Sequence, residues 1–231
     1  MNWNSVIVQA VFWSAATILF YLAGKRLHRR RPGWWTSPLM ATPLLLIGLA
    51  LALHETYGAY IRQTHWLVAL LGPATVAFAV PIWEQRALIR RHWPVLTAGM
   101  LAGSGTAMAS AWGLARLLGL SGTLQLSLLP RSISTPFAMT VSGEIGGVPD
   151  LTAVFVIVTG ICGAALGEAI LKILPLRSAM ARGALFGMGA HGAGVAKAHG
   201  IGSEEGAIAG LVMVLVGLVN VLAAPLLARL L

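Results

Sequence analysis

The chain alternates long apolar runs with short polar ones, and the runs have the length of membrane crossings. Val6 to Leu22 is apolar, and Lys25, Arg26, His28, Arg29, Arg30 and Arg31 follow it. A secretory leader carries its positive charge ahead of the apolar stretch. This order instead predicts an uncleaved first helix, with the uncharged start Met1 to Asn4 outside and a basic stop inside. Trp34 and Trp35 fall where an interfacial belt would sit. A second segment runs from Pro38 to Leu53, and a nearly neutral loop with Glu55, Tyr57, Tyr60 and Arg62 follows. The third, Trp66 to Trp83, is interrupted by Gly72-Pro73 and again by Pro81, and ends in Arg86, Arg90 and Arg91. The fourth, Trp93 to Ala115, carries Gly99, Gly103 and Gly105 at a spacing suited to close helix contact. Three more segments are expected over Leu151 to Lys172, Ala179 to Ala198 and Gly206 to Leu230.

Between them, Leu117 to Gly147 is apolar yet broken by Pro130-Arg131-Ser132-Ile133-Ser134-Thr135-Pro136. Proline removes a backbone donor and disfavours a helical residue before it, so one continuous helix is not expected there. There is also an internal echo. Pro94, Leu96, Thr97 and Ala98 match Pro149, Leu151, Thr152 and Ala153, and each group follows a broken segment. Paired interrupted segments are the sequence pointer to a transporter site. If Leu117 to Gly147 goes in and comes back out, Lys172, Arg177 and Arg182 fall on the same side as the earlier basic clusters, as the positive-inside rule asks. That choice makes the fourth and sixth segments antiparallel, an inverted repeat, and puts the C-terminus inside.

Composition settles the class. Of 231 residues, 57% are hydrophobic and only 10% charged, against about 25% charged in a soluble domain. A soluble globule of this size cannot bury so much apolar surface, which excludes a soluble enzyme, a disordered chain and a disulfide scaffold. At about 20 residues per crossing, the length allows about seven to eight crossings. The expected fold is an all-α polytopic membrane protein with broken helices in two inverted pseudo-repeats. Its parts are N-terminal helices over 1–65, a first broken-helix unit over 66–116 and a second over 117–231. The net charge of +9 reads as cytoplasmic loop charge rather than nucleic-acid binding. The lone Cys162 reads as a small buried hydrophobe.

The chemistry concentrates at the broken stretch. An Arg within an apolar segment costs about 3 kcal/mol at a helix centre, and irregular backbone at membrane depth needs protein or a watery cavity around it. Arg131 among the hydroxyls of Ser132, Ser134 and Thr135 therefore predicts a cavity for a small organic anion. Amides at the helix start after Pro136 would add donors. Gly72, Pro73 and Thr75 would face it from the other half. Gly187, Gly189, His191 and Gly192 formally match a dinucleotide-binding glycine pattern, but no strand precedes them. They read instead as a bendable helix that brings His191 to a cavity, as wall or hinge. His191 and His199 have no carboxylate at ligand spacing, so no metal and no cofactor are expected. Glu168 and Lys172 suit an ion pair four residues apart, Glu204 and Glu205 a loop. Glu144, beside Gly146-Gly147, is the coupling candidate. No nucleophile or acid/base pair stands out, and the chain is not expected to be an enzyme.

Several motifs in order resemble a known family. Leu71-Gly-Pro-Ala-Thr-Val-Ala77, Pro130 to Met139, Gly146 to Ala153, Gly189-Ala-His-Gly-Ala-Gly194 and Glu205 to Gly210 look like the LrgB/CidB family of bacterial membrane proteins. The family commonly has Lys where this chain has Arg131, which keeps the charge. The resemblance implies a single LrgB-like membrane domain in the bacterial inner membrane, and two functions. One is modulation of murein hydrolase activity and autolysis with a holin-like LrgA/CidA-type partner. The other is carriage of small monocarboxylates such as pyruvate or lactate, or glycolate and glycerate as for the plastid translocator with a similar domain. The residues favour the carrier, a secondary transporter. Arg131 would neutralise the carboxylate, while Ser132, Ser134 and Thr135 bond its oxygens. Small-residue helix faces allow a homodimer.

Overall fold

The computed structural model describes residues 6–31 and 33–230, with the backbone alone for Trp34 and Leu230. Met1 to Asn4 and the Trp34 side chain lie outside the described residues. All regular structure described is helical: α1 (Val6–Arg30), α2 (Pro38–Ala52), α3 (Tyr57–Ala69), α4 (Leu71–Ala77), α5 (Ala79–Glu84), α6 (Arg86–Leu117), α7 (Gly122–Leu128), α8 (Thr135–Glu144), α9 (Pro149–Ile173), α10 (Ala179–Ile201) and α11 (Ser203–Leu230), with 3-10 turns at Trp34–Thr36 and Leu129–Ser132. Four stretches among the described residues are long and apolar enough to cross a membrane: Val6–Arg30, Tyr57–Glu84, Pro149–Ile173 and Ser203–Arg229. The chain is thus an all-α, multi-pass membrane protein.

Two compact units emerge, Met1–Ala74 and Thr75–Leu231, and the expected lines at 65/66 and 116/117 fall inside them. In the first unit, α1 carries its basic run as its own last turns, where cations suit the negative end of the helix dipole. A polar ladder joins α1 to α3: Trp66 Nε1 donates to Ser14 Oγ (2.8 Å), Gln63 bonds Gln9 (3.2 Å), and the Tyr60 and Thr17 hydroxyls meet at 3.1 Å. In an apolar surround such bonds hold helices that gain little from hydrophobic burial.

In the second unit, α6 extends upstream of its expected start and kinks at His92 (φ −118°, ψ 19°), two residues before Pro94. The Leu117–Gly147 stretch doubles back. Ser127 Oγ accepts from Val148 N at 2.8 Å, which returns the end of α8 to the side of α7. Gly146, with φ +85°, makes the turn out of α8 into α9. So α7, the 3-10 turn and α8 form a hairpin whose legs, 7 and 10 residues, are each too short to cross alone.

The larger surprise is α10, expected to be a crossing. It breaks at His191, where the backbone takes φ +35° and ψ −121°. A Cβ added to Gly194 would meet the Ala190 side chain at 2.9 Å and collide with the Phe186 backbone, so the chain after the break runs back along the chain before it. Residues 179–190 and 192–201 are therefore two legs of a second hairpin. Gly160 of α9 faces Ala190 and His191, Gly163 faces Gly189, and Gly167 faces Phe186, so the outgoing leg runs antiparallel to α9. Gly183 faces Glu205 and Ile208, while Gly187 faces Ala209, so α11 runs parallel to that leg. Gly103 on α6 faces Met188, and the base of α6 (Ala87 to His92) shares a cavity wall with the base of α10 (Ser178 to Ala181). That makes α6 antiparallel to α9.

A long helix followed by a re-entrant hairpin thus occurs twice in opposite senses, as α6 with α7–α8 and α9 with α10. Within the second unit, the turn at the tip of the Pro130–Pro136 hairpin packs against α10. The parity changes too. Because α10 returns to its starting side, the end of α11 lies on the side opposite Lys172, Arg177 and Arg182. The expectation that the C-terminus shares their side is corrected.

The core lies where the hairpins meet α9 and α11. Phe137, Ala138 and Val141 of α8, Val156 of α9 and Ile208, Val212 and Val216 of α11 form one buried cluster. Phe137 fills the space over Gly217, where a Cβ would overlap its ring.

Candidate functional site

The first hairpin is held at its base by hydroxyls. The buried Thr152 hydroxyl lies 2.9 Å from the Ser127 carbonyl and 2.7 Å from the Ser142 hydroxyl, and Ser127 Oγ donates to the Thr123 carbonyl at 2.6 Å. This fixes where its tip ends. At the tip the 3-10 turn Leu129–Ser132 stops, Ile133 is extended (φ −121°, ψ 167°), and α8 restarts with Ser134 at its N-cap. Ser134 is of the residue type that caps helices, yet its hydroxyl makes no capping bond and has no hydrogen-bond partner although it is buried. Arg131 Nη1 is likewise buried without a partner. A stranded polar atom costs about 1–3 kcal/mol, more when charged. Both lie at the hairpin tip, Arg131 in the 3-10 turn and Ser134 at the start of α8 beside its free amides, and such donors can take an anion's oxygens.

The second hairpin brings a third such atom. His191 is buried, its ring lies over Gly160 of α9, and its Nε2 has no partner. A non-glycine residue at positive φ is strained, by about 1–3 kcal/mol, and such strain gathers at functional sites. The two breaks approach each other. Met188, three residues before His191, lines the same small slot as Pro130 and Ser132, the neighbours of Arg131. The turn Leu129–Ser132 also packs against both α9 and α10.

Not every expected residue gathers there. Thr135 and Pro136 form the first turn of α8 beside the site. Gly192 follows the break and is exposed. Gly72 and Pro73 belong to the first unit, in exposed positions of α4, and Thr75 begins the second. Glu144 is exposed at the end of α8, far along the chain from the tip, so it is not a buried coupling group. The buried acid is Glu205, expected in a loop but placed in the first turn of α11, where it pairs with Arg182 at 2.8 Å. Glu168 pairs with Lys197 rather than with Lys172. Cys162 is exposed rather than buried, on the apolar flank of α9. Asn220 was passed over, although a lone amide in a long apolar segment is itself a signal.

With this arrangement in view, the comparisons with known proteins become informative. The model of the LrgB-like family matches residues 17–230. The chain belongs to the LrgB-like family. It is similar to the uncharacterized protein YwbG of Bacillus subtilis, 39% identical over 91% of this chain and 94% of that one. It is similar to YxaC of the same organism, 36% identical over 79% of each. The holin-like protein CidB of Staphylococcus aureus is 29% identical over 95% of this chain and 96% of its own. No solved structure matches the chain. The match covers both hairpins and every candidate residue named above.

Proposed function

We propose that the protein is a secondary carrier of small organic anions, of the two- and three-carbon hydroxy- and keto-acid kind, across the bacterial inner membrane. The observation that carries this reading is the packing of the broken turn Leu129–Ser132 against α9 and the broken α10, with Arg131, Ser134 and His191 each holding a buried polar atom without a partner. Arg131 neutralises the carboxylate. Ser134 and the first amides of α8 bond its oxygens, and His191 offers a hydrogen bond to the carbonyl or hydroxyl of the acid. Hairpins entering from opposite sides can release the site to one side and then the other, which is alternating access. The chain makes and breaks no covalent bond in this role, so it is not an enzyme. The excess of Lys and Arg in one set of loops supports an N-terminus outside.

Uptake of radiolabelled pyruvate, lactate and glycolate into proteoliposomes tests the reading. Saturable uptake is expected, lost in Arg131→Ala and partly kept in Arg131→Lys. Saturable uptake that ignores Arg131→Ala would move the anion site elsewhere.

A second reading has one observation in its favour, the holin-like description of the CidB relative. On it, the protein regulates murein hydrolase activity together with a holin-like LrgA/CidA-type membrane partner. This reading gives the stranded Arg131, Ser134 and His191 no task. It predicts no saturable flux from the protein alone or with the partner co-reconstituted.

A further inference from the structure

We propose that Ser104 of α6, held in place by Asn220 of α11, is a further substrate-binding donor, and that Met188 is the side chain that closes its slot and sets the size of acid admitted. The inference rests on the carrier reading above and adds to it a second wall of the site.

Asn220 is buried, and its Nδ2 donates to the Val216 carbonyl (2.8 Å) and to Ser104 Oγ (2.9 Å). A carbonyl can only accept, so the amide's orientation is fixed, and both of its N–H donors are spent. Ser104 accepts one of them. Its own O–H proton is therefore free to donate, and Ser104 borders the slot that also holds Pro130, Ser132 and Asn220. The Ser104 hydroxyl and the Asn220 amide thus stand beside Pro130 and Ser132, the residues flanking Arg131. The amide bond ties α11 to α6 across the bundle and fixes where the Ser104 hydroxyl sits.

The slot is closed. Its volume is about 10 Å³, the room for a single water and for no organic acid. A cavity of about 1030 Å³ lies next to it, with Arg91, His92, Ser178 and Glu204 among its lining. Met188 borders both. It lies over Gly103, where even one added Cβ would sit 2.5 Å from its terminal methyl and 3.0 Å from its sulfur. An unbranched thioether with three rotatable bonds is the side chain best able to swing aside. Arg91 and His92 in the cavity's lining suit an anion's approach. Met188 then stands between that approach and the donors.

The test uses the full chain in proteoliposomes and in detergent, with pyruvate and a five-carbon keto-acid as probes. Uptake and pyruvate binding by thermal shift are read together. Ser104→Ala is expected to raise the KM for pyruvate about tenfold with the maximal rate within twofold, the loss of one hydrogen bond to a charged group. Ser104→Thr, which keeps the hydroxyl, restores it. Met188→Ala shifts the kcat/KM ratio of the five-carbon over the three-carbon acid upward by about tenfold or more, while Met188→Leu leaves it near the starting value. An unchanged KM in a folded Ser104→Ala protein that still takes up pyruvate overturns the donor role and leaves the carrier standing. An unchanged size preference in Met188→Ala overturns the gate. Pyruvate binding without uptake, weakened by Ser104→Ala, supports the slot and sinks the carrier. Neither binding nor uptake in the unaltered protein overturns both.

Discussion

The two hairpins have the same topology and are held in different ways. The base of the α7–α8 hairpin is tied by neutral hydroxyls, with Ser127, Ser142 and Thr152 fully buried. The α10 hairpin is tied by ion pairs, Arg182 to Glu205 of α11 on its outgoing leg and Lys197 to Glu168 of α9 on its returning leg. A buried hydroxyl network has nowhere to exchange its bonds, so opening it strands every member. An ion pair that reaches water on both sides, as Lys197–Glu168 does, can trade its partner for solvent at small cost, whereas Glu205 keeps its Arg182 partner in a buried setting. The first hairpin therefore behaves as the fixed wall that carries Arg131 and Ser134. On the carrier reading, the second, strained at His191 and tied on its returning leg by an exposed ion pair, is the one expected to move.

The largest test of this contrast is Arg182→Ala. Its partner Glu205 has only 9% of its side chain exposed, against 33% for Arg182, so the substitution leaves a carboxylate buried and unpaired. Breaking a fully buried pair costs about 3–5 kcal/mol, and the exposure of Arg182 reduces this to about 2 kcal/mol. Thermal unfolding of the purified protein in detergent should show a clear fall in Tm. An unchanged Tm would mean that Glu205 finds water, and the second hairpin would then be looser than described.

Next in size is Thr152→Val, which keeps the shape and removes the hydroxyl. The Ser127 carbonyl and the Ser142 hydroxyl lose a partner in a site with no room for water, since a Cβ at Gly147 would already sit 2.5 Å from Ser142 Oγ. A loss of about 1–2 kcal/mol follows, read by the same melt. Pyruvate uptake should fall with it, because the tip that carries Arg131 is located by this base. Uptake that survives a destabilised melt would detach the tip's position from the base.

How much of this was legible beforehand differs between the hairpins for physical reasons. The first break announces itself, because Pro130 and Pro136 cannot continue a helix and a membrane Arg131 needs a reason to be there. The second break carries no proline. Residues 179–198 read as a crossing with a bendable, glycine-rich stretch around His191, because their length and apolarity are those of one, and the full reversal at His191 exists only through what packs around it. Its one local trace was the density of glycines, which allows the outgoing leg to lie directly on the backbones of α9 and α11. Missing that reversal also inverted the side assigned to the C-terminus. The Asn220–Ser104 bond joins residues 116 positions apart, and no spacing rule reaches that far. Glu205 was hidden by its neighbour, since two adjacent acids look like a loop until the helix that starts there is seen to turn one of them inward.

The smallest expected effect is the most discriminating. Lys197 and Glu168 have side chains 43% and 49% exposed, so their pair sits in a screened, solvated setting. Lys197→Gln should change the melting free energy by no more than about 0.5 kcal/mol. What remains of the effect should fade further as salt rises toward about 1 M, where the Debye length is about 3 Å. Thr152→Val, being buried and neutral, should show no such salt dependence. The two variants measured side by side at low and high salt thus separate the two ways of holding a hairpin. If Lys197→Gln costs as much as Thr152→Val, or if both respond equally to salt, the returning leg is fixed as firmly as the first hairpin. The motion needed for alternating access would then have to be sought in α6 and α11 instead.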